Sequence, residues 1–141
     1  MSLPDDLANC LVLNTVAAAR TLLRRGDAGF RPFGVTVQQF SLLAAIRFNP
    51  ETPVAVLAKR ILLDRTSLTR NLDLLEQRAL VERVPGSDGN ARLCRLTDAG
   101  SVLLDQLFDV WKQAQTDMLD GFGEAEAETY LRVAKHFARG E

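Results

Sequence analysis

Apolar and polar positions follow two different periods along this chain, and the change of period divides it. Over residues 5–25 apolar side chains recur every three to four residues. Leu7, Leu11, Asn14 and Ala18 form one stripe, and Cys10, Leu13 and Ala17 the stripe beside it. That spacing predicts a helix whose apolar sector is too wide for one packing partner. Gly26, Gly29, Pro32 and Gly34 then interrupt the pattern and predict a loop. Thr36 is placed to cap a helix over 37–48, with Phe40, Leu43, Ala44 and Phe48 inward and Asn49-Pro50 ending it. Thr52 opens a short helix that packs through Val56, Leu57 and Ala58, and Asp64 caps the next one. There Leu68, Leu72 and Leu75 recur at i, i+4 and i+7. The period then drops to two over 80–84 and 92–96, which read as strands joined by the tip Gly86-Ser87-Asp88-Gly89-Asn90. Thr97 caps a long helix over 98–119, with Leu103, Leu104, Leu107, Phe108, Trp111, Ala114 and Met118 in one stripe. An aromatic stripe of this kind reads first as core. At about 1.5 Å per residue this helix spans ~30 Å. Gly121 and Gly123 precede a last helix over 124–138, with Ala127, Leu131, Ala134 and Phe137 together.

Short helix, polar turn, second helix, two-stranded ribbon is the order of a helix-turn-helix with a β-wing, an arrangement that lays one helix in the major groove of DNA. On the second helix, turning ~180° from the leucine stripe at ~100° per residue brings out Thr66, Arg70, Asp73 and Gln77. Arg65, Ser67, Thr69 and Asn71 flank them. Hydroxyls, an amide and guanidinium groups are what base edges and phosphates accept. Lys59 and Arg60, at the end of the first helix, are candidate phosphate contacts. Taken alone, the same face would suit an ordinary solvated surface helix.

The segment 53–100 resembles the MarR (multiple antibiotic resistance regulator) family of winged-helix transcription factors. The resemblance rests on Leu57-Ala58, on Asp64-Arg65-Thr66-Ser67-Leu68-Thr69-Arg70, on Leu80-Val81-Glu82-Arg83 entering the wing, and on Leu96-Thr97-Asp98-Ala99-Gly100 leaving it. The flanking helices fit more loosely, without gaps. The resemblance implies a mainly α fold with a small β-wing, as a single domain over 1–141. Residues 36–97 would form the winged helix-turn-helix, and 5–34 and 98–141 the dimerisation helices. It implies a homodimer on a pseudo-palindromic operator in double-stranded DNA, acting as a repressor, with half-sites ~10 bp apart. It also implies release by a small-molecule effector held between the dimer helices and the reading module. Two positions depart from the family pattern. Asn90 stands two residues after Asp88, where an arginine that enters the minor groove is expected, and Arg92 is the nearest basic residue. Asp88 keeps its wing-shaping role, and Asn90 could hydrogen-bond in the groove without bringing charge. Ala79 stands at a helix end where glycine is common, so it either costs about 1 kcal/mol or marks a different helix end.

Composition refines this picture. A chain of 141 residues with 47% apolar side chains suits one compact domain with a real core. No apolar run approaches the ~20 residues of a membrane span. The acidic start MSLPDDLANC is unlike a secretory signal, so a cytoplasmic location is expected. The formal net charge of −1 conceals an uneven distribution. Residues 59–95 carry eight Lys/Arg against five Asp/Glu, whereas 96–141 carry four against nine. Positive charge therefore collects on the reading module. Arg20, Arg24, Arg25 and Arg31 cluster near the glycines, either as a helix end favourable to its dipole or as an anion contact.

Catalytic residues, metal ligands and a cofactor are not expected. His136 is the single histidine, so a metal set with two imidazoles cannot form, and no phosphate-cradling glycine loop appears. Cys10 and Cys94 make no disulfide framework. In some regulators resembling this one, a cysteine in the first helix senses peroxide, with tyrosines as hydrogen-bond donors. Cys10 is the redox candidate on that ground, against a small buried thiol, and the one tyrosine, Tyr130, is distant in sequence. Two alternatives to an operator-binding regulator follow: a winged-helix protein-interaction module that no longer reads DNA, and a Cys10 peroxide sensor of the same fold.

Overall fold

In the computed structural model, residues 2–86 and 92–140 are described. A short helix α1 (Asp5–Ala8) leads into α2 (Leu11–Phe30), a 3-10 turn (Arg31–Phe33) and α3 (Val37–Phe48). The helices α4 (Val54–Arg60) and α5 (Arg65–Gln77) follow, then β1 (Val81–Pro85) and β2 (Arg92–Leu96). The long α6 (Asp98–Leu119) and α7 (Glu124–Ala138) complete the chain. The strands pair antiparallel, from Val81 opposite Leu96 to Pro85 opposite Arg92. The expected winged helix-turn-helix is present, between one helical arm at the N-terminus and another at the C-terminus.

Local chemistry starts each helix. Thr36 forms a reciprocal capping box with Gln39: the Gln39 N–H donates to Thr36 Oγ1 at 3.2 Å, and the Thr36 N–H donates to Gln39 Oε1 at 3.1 Å. Asp64 Oδ1 accepts the Ser67 N–H at 2.8 Å. Thr97 Oγ1 accepts the Gly100 N–H at 3.0 Å and donates to the Ala79 carbonyl at 2.6 Å. This one side chain therefore caps α6 and ties it to the end of α5. α3 sits at the centre, packing on α2, α4, α5, α6 and β2. Leu42, Leu43, Leu57, Leu75, Leu104 and Leu107 are fully buried. Phe30, Phe40 and Phe108 form a ladder with ring centroids 5.0 and 5.6 Å apart.

Several sequence expectations need correction. The first helix is broken at Asn9-Cys10, and α2 runs straight through Gly26 and Gly29. Gly26 marks a close approach: a Cβ there would lie 2.5 Å from Val37 Cγ2, so the missing side chain lets α2 meet α3. The turn comes later and ends at Gly34, whose φ of 71° is left-handed. Arg24 and Arg25 accordingly lie in the body of α2, exposed, and not at its C-terminal end. Pro53, not Thr52, is the N-cap of α4, and Val56 is exposed. Phe48 is 66% exposed, whereas Leu43 is fully buried and Phe40 and Ala44 are partly buried against the core, which α3 also enters through Gln39, Leu42 and Ile46.

Ala79 does take up the left-handed conformation of a helix end, with φ 56°. Its N–H donates to the Glu76 carbonyl at 2.8 Å, and the Leu80 N–H donates to the Leu75 carbonyl at 3.0 Å. Those two bonds are a Schellman motif, in which glycine is the unstrained choice. Gly100 has the opposite role: a Cβ there would fall 2.0 Å from the Leu80 carbonyl oxygen. We therefore expect Ala79→Gly to stabilise the chain by up to about 1 kcal/mol. Gly100→Ala should destabilise it by more than Ala79→Gly stabilises it, because backbone would have to move. Urea denaturation at one fixed protein concentration reads both, and a loss of stability in Ala79→Gly would contradict the strain argument.

Candidate nucleic-acid interface

The face of α5 is set from inside. Leu68, Leu72 and Leu75 are buried, and their burial turns Arg65, Thr66, Thr69, Arg70, Asp73 and Gln77 outward. These side chains, with Leu74, line one shallow surface groove. Arg65 and Arg70 make no ion pair or hydrogen bond within the chain among the described residues. Ser67 is partly buried and committed locally: its hydroxyl donates to Asp64 Oδ2 at 2.9 Å. The Ser67 N–H first, and then its hydroxyl, hold the Asp64 carboxyl below its usual range.

Asn71 departs from expectation. It is 4% exposed, so it cannot reach a groove. Gln39 Nε2 donates to its Oδ1 at 3.3 Å, and its Nδ2 donates to Gln38 Oε1 at 3.4 Å. Asn71 follows Leu68 by three residues and precedes Leu75 by four, a spacing that puts it beside the buried stripe. That arithmetic was available in the sequence. The partner Gln39, also buried, was not, because it lies 32 positions away.

The wing is joined to α5 by charge. Arg83 of β1 pairs with Asp73 at 2.9 Å and with Glu76, both on α5. Arg95 pairs across the ribbon with Glu82. Arg78 donates to the Gly34 and Phe33 carbonyls at 2.6 and 3.0 Å. These three arginines serve the fold, which leaves Lys59, Arg60, Arg65, Arg70 and Arg92 as exposed cations of the module. Asp88 and Asn90 lie outside the described residues. Arg92 opens β2 opposite Pro85. The clamp role of Arg83 has no local sequence signal, since it depends on the register between strand and helix.

A second feature adjoins the module. A cleft of about 680 Å³ opens between α2, α3, α4 and α6. Phe40, Phe48, Phe108, Trp111 and Met118 supply apolar wall, and Arg60 supplies a cation. The stripe of α6 thus divides: Leu104 and Leu107 are core, whereas Trp111 and Met118 face this cleft.

Cys10 is the N-cap residue of α2, partly buried, and Tyr130 lies exposed on α7. Among the described residues no hydrogen bond reaches the Cys10 thiol. Cys94 is buried in β2, and burial pushes its thiol up.

A MarR family model matches residues 33–92. The HTH-type transcriptional regulator PecS of Dickeya dadantii (strain 3937) is 29% identical over 137 residues, covering 92% of this chain and 81% of its own length. The M. tuberculosis transcriptional regulator MosR, solved in complex with DNA, is 30% identical, with a TM-score of 0.77 over 94% of this chain and 98% of that one. A cysteine-to-serine mutant of MarR from E. coli, complexed with operator DNA, has a TM-score of 0.84 at 22% identity over 96% of this chain and 99% of that one. At that identity the last comparison speaks for the fold.

Residues of α5 should separate cleanly in stability measurements. Asn71→Ala leaves the buried Gln39 amide without its acceptor and is expected to cost about 1–3 kcal/mol. Arg70→Ala removes an exposed side chain and should change stability by no more than about 0.5 kcal/mol. Urea unfolding followed by circular dichroism would show this; equal losses would mean that Arg70 is structural.

Proposed function

Because this chain belongs to the MarR family of transcriptional regulators, we propose that it acts as a homodimer, each subunit placing α5 in one major groove of a pseudo-palindromic operator. The observation that carries the proposal is the outer face of α5. Two arginines without partners among the described residues and two free-standing threonines share it. The helix beneath them is fixed by its cap, its leucine stripe and the Arg83 clamp. Arg65 and Arg70 would meet guanine edges or phosphates, and Thr66 and Thr69 would make the shorter contacts. Lys59 would hold phosphate, and Arg92 would carry positive charge to the base of the wing. Ser67 contributes through the cap, and Asn71 through the interior.

Dimerisation is supported by the apolar surface of a single copy. Leu7, Leu11, Val12 and Leu13 on the N-terminal arm and Tyr130, Leu131 and Phe137 on α7 are all exposed by 40% or more. So many large apolar side chains exposed on the two arms are unusual for a soluble monomer. A second copy would cover them and set two α5 helices about one turn of duplex apart, ~10 bp. No described helix is long and apolar enough to cross a membrane, and a protein acting on an operator would work in the cytoplasm. The cleft is the natural seat for a small effector. Bound there, an effector would act as far as its affinity differs between the DNA-bound and free forms. Release of DNA on binding would make the protein a repressor.

Sites selected from random DNA would supply the operator for the decisive measurement, fluorescence anisotropy over a range of salt. Arg70→Ala should weaken binding about tenfold or more, by the 1–3 kcal/mol that a bidentate base contact is worth. If Arg70 holds phosphate instead, the log–log salt slope should fall by about 1. A variant that binds the operator as wild type at every salt concentration would remove Arg70 from the interface, and a selection that yields no bound site would sink the DNA reading and favour a protein-interaction module.

A further inference from the structure

Beside the apolar cleft lies a second cavity, of about 440 Å³, where the end of α4 meets the end of α7. Lys59, Arg60 and Leu62 line one side, and Lys135, Ala138 and Arg139 the other. All four cations are exposed, and no carboxylate lies among the lining residues. None of the four takes part in an ion pair among the described residues. A cation near each helix C-terminus is ordinary compensation for the helix dipole. That explains each pair on its own helix. It does not explain the convergence of the two pairs, which repel one another until an anion joins them.

The position of this basic shelf follows from how α4 ends. The Leu62 N–H donates to the Lys59 carbonyl at 3.2 Å, and the Leu63 N–H to the Ala58 carbonyl at 2.8 Å. With Leu62 left-handed at φ 57°, these bonds form a second Schellman motif. The chain reverses tightly, and Asp64 caps α5 at once. Arg65 opens α5 and lines its outer groove, and its Cα is no more than about 11 Å from that of Leu62. A recognition helix reads bases with its N-terminal residues, and the helix before it crosses the backbone. The basic end of α4 would therefore lie at the edge of the groove, and α7 brings two further cations to the same place. Each strand of a duplex carries a charge about every 3.4 Å along the axis, so several phosphates fall within that span.

We propose that this shelf is a phosphate-binding surface for duplex DNA: with α5 in the major groove, Lys135 and Arg139 of α7 join Lys59 and Arg60 in holding the backbone beside it. This rests on the operator reading above and extends the interface beyond the winged helix-turn-helix, to the C-terminal arm. Phosphate contacts fix register and carry no sequence information. The arm would then add affinity for any duplex and tie its own position to that of the reading module on DNA.

Fluorescence anisotropy with the intact chain tests this on two duplexes, the selected operator and a scrambled sequence of the same length, over a range of salt. Lys135→Gln/Arg139→Gln should weaken both by the same factor, about tenfold or more at ~0.1 M salt, and lower the log–log salt slope by about 2 or more. The charge-keeping exchange Lys135→Arg/Arg139→Lys should keep the wild-type slope. Unchanged affinity and slope in the glutamine pair overturn the proposal. A loss of affinity at unchanged slope overturns it too, because the two residues would then act by positioning the arm. So does a slope that falls as far in the exchanged pair as in the glutamine pair. Titration of the DNA-free chain with inorganic tripolyphosphate addresses the other source of phosphate: binding that the glutamine pair loses, with duplex affinity intact, would assign the shelf to a small anion instead. If Arg70→Ala loses operator affinity and the glutamine pair does not, the shelf proposal fails and the operator reading stands. If selection yields no bound site, the operator reading fails and the shelf proposal falls with it.

Discussion

One helix has to be held at one rotation about its own axis, and a buried amide pair supplies much of that constraint. Leucines alone allow α5 to turn by several degrees, because apolar contact has no direction. The Asn71–Gln39 bond is directional, and both amides are buried, so rotation would leave polar groups unpaired away from water. Gln39 is simultaneously the back half of the Thr36 capping box. The next residue, Val37, donates its N–H to Asp27 Oδ1 at 2.8 Å. A continuous polar path therefore runs from α2, through the start of α3, to the interior side of α5. The same Val37 fills the notch left by Gly26 and lines the apolar cleft.

Electrostatics on the module follows the same economy. Its acidic residues are mostly spent against its own arginines: Asp73 and Glu76 on Arg83, and Glu82 on Arg95. Exposed pairs of this sort add little stability, about 0.2–1 kcal/mol each. Their effect here is chiefly geometric, since Arg83 fixes the ribbon against α5. They also cancel locally, so the outward field comes from the arginines and lysine that remain. A formal total of −1 therefore says little about the face that would meet DNA, because most of the excess acid sits in the C-terminal third of the chain.

Much of this architecture could be read from residues alone, for identifiable reasons. Caps at Thr36, Asp64 and Thr97 are local chemistry, and the spacing of leucines in α5 and α6 is local geometry. Both survive folding unchanged. What escaped was contact between distant elements. Gly26 looked like a loop residue because its reason for being glycine, Val37, is eleven positions later. Asn71 looked like a reader because amides suit adenine and Gln39 was out of view. Phe48 looked like core because no periodicity separates a residue that fills a core from one that edges a cleft. The site was legible in outline: Arg65, Thr66, Thr69 and Arg70 face outward as their positions on the helix required. The cleft was not legible, since it is assembled from four separated helices.

The two features meet in a physical argument about control. A ligand that occupies the cleft presses on walls made by α2, α3 and α6, and α3 carries Gln39 on its buried side. Movement of the start of α3 by a fraction of an ångström cannot be absorbed at Gly26, where a methyl group already fills the gap. It must pass either to α2 through Asp27 or to α5 through Asn71. If it passes to α2, the separation of the two modules in the proposed dimer would change; if to α5, the rotation of the reading helix would change. Substituting apolar residues of similar size for both amides, Gln39→Leu with Asn71→Leu, would remove the second route and keep the core filled. Operator affinity in that pair, measured with and without ligand, would then show which route carries the signal. Retained ligand response assigns it to α2 and the dimer arms, and a lost response assigns it to α5.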